Sequence, residues 1–242
     1  MLPGAGDVRS EYRFMIDTLA AAGFRVVNAD LPGHGESAPA ERYTVADTAA
    51  AIGDLIATID AGPAAVVATS FAPAAAVWAA AERPETIDAI VAISPHLHED
   101  TSVKGRMSSA SIRMLLRGPW AGSLWTKLYT GWYKKSPPSD LDAETAKLRD
   151  MLAQPSGRRA VRKTLTAGRD GVTERIERIE LPTLTVFGSA DDHFTDPVAT
   201  ANETATELSG EHMVVDGAGH YPHVEQPEAV ASAIVSFLQR TA

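Results

Sequence analysis

The feature that most restricts this chain's architecture is the regular exchange, along its whole length, of short apolar runs rich in β-branched residues for stripes with helical spacing. The runs are FRVVNADL at 24–31, AAVVAT at 64–69, TIDAIVAIS at 86–94, PTLTVFG at 182–188 and HMVVDG at 212–217. Between them, Tyr12, Met15, Ile16 and Leu19 fall on one face of a helix predicted over 10–22. Thr44 and Asp47 form a capping-box-like start for a stripe of Val45, Thr48, Ile52, Leu55, Ile56 and Ile59. Pro227 opens a final helix with Val230, Ile234, Phe237 and Leu238 on its buried side. The run at 86–94 is nearly continuous in apolar residues, as a strand covered on both faces must be. The expected fold class is therefore α/β, a mostly parallel sheet with helices on both faces.

At 242 residues the chain can bury a sizeable core within one α/β domain. It has no cysteine, which excludes disulfides and thiolate metal sites. A signal-peptide pattern and any run of membrane-spanning length are missing, so a cytoplasmic protein without integral membrane association is expected. The net charge of −9 is unevenly spread: residues 101–178 carry 16 Lys+Arg against 7 Asp+Glu, and the remainder is strongly acidic. That basic piece also holds Trp120, Trp125 and Trp132. It is expected to be an inserted helical subdomain drawn to an acidic body. Basic residues scattered through an acidic protein without a recognition motif argue against nucleic-acid binding.

Sites in open parallel sheets form beyond the carboxyl ends of the strands. Three of these ends carry chemistry. VVATSFAPAAA at 66–76 runs from a strand through Ser70 into a string of helix formers, GSADDH at 188–193 places Asp191 three residues past Gly188, and GAGHYPH at 217–223 places His220 just past the last strand. Serine, acid and histidine in that order match a catalytic triad built on a strand-to-helix nucleophile elbow.

With DLPGHGES at 30–37, ATSFA at 68–72, GSADD at 188–192 and GAGHYPHVEQPEAV at 217–230, the chain resembles the α/β-hydrolase superfamily over nearly its full length. The resemblance implies a core domain of 1–96 and 179–242 with a helical lid, 97–178, inserted after the strand at 86–94. It implies Ser70 as nucleophile, Asp191 as the acid and His220 as the base, with Asp192 the first alternative acid and Asp196 and Asp216 further rivals. The elbow usually has glycines where this chain has Ala68 and Ala72, one extra methyl at each place. The backbone N–H of Phe71 is the expected first oxyanion donor. LPGAG at 2–6 resembles the family's oxyanion loop and points to the N–H of Ala5 as the second. Only Met1 and Leu2 stand ahead of Pro3 to form the strand that carries this loop, and the family's opening hairpin is missing. A gap is thus expected between the strands at 24–31 and 64–69, to be filled by residues before Met1 or by another segment.

Two motifs are set aside. GHGESA at 33–38 matches a dinucleotide fingerprint, but Pro39 and the lack of an immediate helix remove the N-terminus that would hold a pyrophosphate. HLHED at 96–100 offers His96, His98 and Asp100 in a metal-like spacing without further ligands, and His96 is instead expected to touch substrate. No cofactor or metal is expected. Trp125 is a candidate for the substrate wall, while Met107 and Met114 fit packing. The expected function is a serine hydrolase acting on a small, partly apolar carboxylic ester, thioester or lactone. The alternatives are a non-catalytic binding or scaffold protein on the same frame, and a carbon–carbon bond hydrolase or lyase with the same triad.

Overall fold

The computed structural model describes residues 1–99, 111, 114 and 116–241. Asp100 and Met107 lie outside the described residues. Four parallel strands, β1 (Ala64–Thr69), β2 (Ile87–Ile93), β3 (Thr183–Gly188) and β4 (Glu211–Val215), lie side by side in sequence order. Their registers run from Val66 opposite Ile90, through Val91 opposite Leu184, to Val186 opposite Met213. The sequence predicts all four to within a residue or two.

Helices cover both faces. On one side α2 (Val45–Ile59) and α3 (Ala72–Glu82) pack on β1 and β2. Thr44 and Asp47 cap α2 reciprocally, as the sequence predicts, with the Thr44 side chain accepting the Asp47 N–H. Seven alanines and Val77 of α3 are buried, so this helix sits close to the sheet and to α2. On the other side Tyr12, Met15 and Leu19 meet Val230, Ile234 and Phe237 of the last helix, Pro227–Thr241. The helix expected over 10–22 divides into a 3₁₀ turn, Arg9–Tyr12, and α1, Ile16–Ala21.

The stretch 24–31 forms no regular strand, which corrects the expectation. Met1 and Leu2 alone occupy the place beside it: the Met1 amino group donates to Val27 O at 2.6 Å and Ala29 N–H donates to Met1 O at 3.1 Å. On the opposite side Leu2 N–H donates to Val67 O and Thr69 N–H to Leu2 O, in a parallel bridge with Ala68. Met1 and Leu2 therefore lie between the stretch 24–31 and β1 and bond to both. Below them lies a cavity of about 330 Å³ walled by Phe24, Val26, Ile56, Ile59, Ala65 and Val67.

Between β2 and β3 come α4 (Ala121–Gly131), α5 (Leu141–Ala153), α6 (Pro155–Leu165) and the short α7 (Val172–Ile176). Trp125, Tyr129, Leu148, Leu152 and Val161 from these helices form a third core with Tyr221 and Val224. Among the described residues no helix is long and apolar enough to cross a membrane.

Candidate active site

β1 ends at Thr69 and α3 starts at Ala72, leaving two residues to reverse the chain. Ser70 makes that turn with φ of +59°, a left-handed conformation that a side chain tolerates only when its surroundings impose it. The surroundings are explicit. Ser70 N–H donates to Ile93 O on β2, and Ser70 O accepts the His96 N–H, both at 2.9 Å. Ala68 and Ala72 are fully buried, so the extra methyl groups have been accommodated in the packing. Gly4 lies against the serine: a Cβ there would stand 3.1 Å from Ser70 Cβ. The loop 2–6 thus approaches the elbow at a distance set by the lack of a side chain. Neither Phe71 N–H nor Ala5 N–H donates to another described residue.

The acid and the histidine belong to loops that lock onto each other. Gly188 ends β3 where a Cβ would fall 2.2 Å from Ala218 O, and Ala190 N–H donates to that same carbonyl at 2.9 Å. Asp191 follows, buried, and its Oδ2 accepts the His220 Nδ1–H at 2.8 Å. Its Oδ1 accepts from both the backbone N–H and the ring Nδ1–H of His193, at 3.1 Å and 2.9 Å. The rival acids are occupied elsewhere. Asp192 pairs with Lys134 at 2.7 Å, Asp196 caps the helix Pro197–Glu207 through Ala199 N–H, and Asp216 is exposed beside Lys135.

Glu225, four residues into the segment after Tyr221, accepts the Gly219 N–H at 2.6 Å. Its other oxygen accepts the N–H groups of Lys134, Lys135 and Ser136. This one carboxylate joins the histidine loop to the end of α4, where Trp132 O accepts the His220 N–H at 3.1 Å. The Trp132 ring lies 4.9 Å from His193 and 5.9 Å from His220. Trp125, the tryptophan singled out in the sequence, sits farther back, buried, with its Nε1–H donated to Gly6 O at 2.8 Å. His96 stacks on Phe194 at 4.9 Å and stands 5.7 Å from the His220 ring.

Burial alone would raise the Asp191 pKa, but the charge of His220 and the hydrogen bonds from His193 and His220 hold it far below the ordinary carboxylate range. Burial pulls His220 below its usual value, with Asp191 acting in the opposite sense. Burial and the neighbouring rings push His96 well down, keeping it neutral. The arrangement is an ionised acid, a neutral imidazole oriented by it, and a serine in a left-handed turn at the same carboxyl-end rim of the sheet. Asp191, His193 and His220 also place their ligand-type atoms within 4.8 Å of one another, yet both Nδ1 atoms are engaged by the carboxylate.

The roles of His193 and Trp132 come from contacts across the fold that the sequence does not announce. For Glu225 a signal existed, since an acid five residues past His220, inside the quoted stretch 217–230, is available to tie that loop down.

Comparison with known proteins places this geometry in context. The family described as the alpha/beta hydrolase family matches residues 1–233. BpoC of Mycobacterium tuberculosis strain H37Rv, named as a candidate non-heme bromoperoxidase, is 28% identical over 263 residues, covering 97% of this chain and 89% of its own. The 2-succinyl-6-hydroxy-2,4-cyclohexadiene-1-carboxylate synthase of Enterobacter sp. strain 638 is 23% identical over 223 residues, covering 88% of this chain and 81% of its own. A thermophilic esterase from Thermogutta terrifontis superposes with a TM-score of 0.82 at 20% identity, covering 99% of this chain and 88% of the esterase.

Proposed function

Since the chain belongs to the alpha/beta hydrolase family, an enzyme family, we propose that it is a serine hydrolase that cleaves a small, partly apolar carboxylic ester, thioester or lactone. The observation that carries this reading is the buried 2.8 Å hydrogen bond from His220 Nδ1–H to Asp191, on the sheet rim where Ser70 is held left-handed.

In the proposed reaction His220 Nε2 takes the Ser70 proton as Oγ attacks the substrate carbonyl. Asp191 keeps the proton on Nδ1, so Nε2 is free to act, and stabilises the imidazolium that results. The N–H groups of Phe71 and Ala5 receive the developing oxyanion. Collapse expels the alcohol or thiol, protonated by His220, and leaves Ser70 acylated. Water then attacks with the same base, releasing the acid and restoring the hydroxyl. The helices α4 to α6 serve as the lid of 97–178, with Trp132 as its wall against His220, and His96 lines the substrate side. A cytoplasmic setting fits the absence of cysteine.

A fluorophosphonate probe tests the reading. Wild type should be labelled and Ser70→Ala should not, and esters of graded acyl size should then define the substrate. A folded wild type that takes no label and hydrolyses none of them leaves the binding or scaffold reading in its place.

A further inference from the structure

The loop 2–6 is anchored from behind by a fully buried acid that neither the triad nor the core needs. Glu11, in the turn Arg9–Tyr12, has no exposed side chain, and its Oε2 accepts the Gly4 N–H at 3.1 Å. Gly4 is the residue packed against Ser70. The other ties of this loop are neutral: Tyr12 O–H donates to Leu2 O at 3.0 Å, Asp7 N–H to Gly4 O at 3.2 Å, and Trp125 Nε1–H to Gly6 O.

Around Glu11 stand Asp7, Thr69, Tyr12 and His223, with Arg13 at longer range and Tyr221 facing Asp7. His223 Nε2 approaches Glu11 Oε1 to 2.9 Å but without hydrogen-bond alignment, and Asp7 Oδ2 is likewise unpartnered. A carboxylate enclosed in this way is costly to bury, and it is retained where its acceptors hold something in place.

We propose that Glu11 is a positioning residue for the oxyanion loop: through the Gly4 N–H it fixes the Pro3–Gly4–Ala5 turn so that the Ala5 N–H meets the oxyanion formed at Ser70. This rests on the hydrolase reading above. The ionised form does the work, because a carboxylate oxygen presents only acceptors to Gly4, whereas protonation places a hydrogen among them. Burial pushes the Glu11 pKa up to about 7, and burial together with the neighbouring Glu11 pushes Asp7 well above its usual value. His223, lowered to about 3 by burial, stays neutral and contributes no charge.

The test combines Glu11→Gln with a measurement on the unaltered protein. In Glu11→Gln, kcat for the best ester should fall about tenfold, as for partial loss of an oxyanion donor, with KM within about threefold of wild type. Wild-type kcat should decline as pH falls through about 7, and the variant should lack that limb. In wild type labelled with ¹⁵N-glycine, the Gly4 amide should titrate near pH 7, which requires neither turnover nor a variant. A kcat unchanged within twofold in Glu11→Gln, or a Gly4 amide flat from pH 5.5 to 8.5, overturns the proposal. If the Gly4 amide titrates but wild type hydrolyses no ester and takes no fluorophosphonate, the anchor stands and the hydrolase reading falls.

Discussion

The imidazole rings of His193 and His220 lie 4.0 Å apart, tilted by 35°, and each donates its Nδ1–H to a separate oxygen of Asp191. One carboxylate thus orients two rings, His193 on the loop after β3 and His220 on the loop after β4. Asp191→Asn keeps the shape but offers an N–H where His220 needs an acceptor, favouring the wrong tautomer. Its kcat should fall by about 10³–10⁴ with little change in KM. His193→Ala removes one of two ties on the same carboxylate and should cost about tenfold or less. Steady-state kinetics on one ester, with both variants checked for native melting, decide the order; equal losses would contradict it.

Acid should destabilise the protein. Four histidines have lowered pKa values, three of them buried and His96 half-buried: His34 at about 4, His223 at about 3, His96 well down and His220 also lowered. Between about pH 6.5 and 5 the unfolded chain protonates all four while the folded protein resists, so each contributes a loss of up to about 1.4 kcal/mol per pH unit. Glu11 and Asp7 act in the opposite direction, because the folded protein holds their protons over a range where the unfolded chain has released them. Two carboxyl groups do not offset four imidazoles. The melting temperature should therefore drop steadily from pH 7 to pH 5, and a flat or rising profile by calorimetry would refute the lowered pKa values of these histidines.

What the sequence made visible follows from where the physics is local. The β1–β4 runs were legible because strands covered on both faces are apolar throughout, and Asp191 and His220 because each stands at a fixed offset from a glycine that ends or follows a strand. The irregular path of 24–31 was hidden because its β-branched residues suit a strand, and its bonds to Met1 arise from a contact between distant parts of the chain. His193, Trp132 and Glu11 were hidden because their roles come from contacts across the fold, such as Glu11 with Gly4 or Trp132 with His220.

Trp125 couples α4 to the loop 2–6 through a single buried hydrogen bond to Gly6 O. Trp125→Phe keeps most of the bulk and leaves that carbonyl without its donor, at a cost of about 1–3 kcal/mol. Gly6→Ala is worse, because Gly6 has φ of +86° and a Cβ would stand 2.3 Å from the Trp125 ring. Thermal melts should rank wild type above Trp125→Phe and Trp125→Phe above Gly6→Ala. A Trp125→Phe melting point equal to wild type would mean that the bond adds nothing to stability.

Ser70 pays in backbone strain for its place at the elbow, since φ of +59° is unfavourable for any residue with a Cβ. Ser70→Gly relieves that strain, while glycine's greater freedom in the unfolded chain returns part of the gain. The net expectation is a stabilisation of about 0.5–1 kcal/mol, or a few degrees at most in a chain of this length. Ser70→Ala keeps the Cβ and hence the strain, so it should melt close to wild type. Both variants should lose fluorophosphonate labelling. Differential scanning calorimetry on the three proteins separates strain from chemistry: a Ser70→Gly no more stable than Ser70→Ala would mean that the left-handed turn costs nothing, and the constraint on the elbow would then have to be sought in Ile93 and His96 alone.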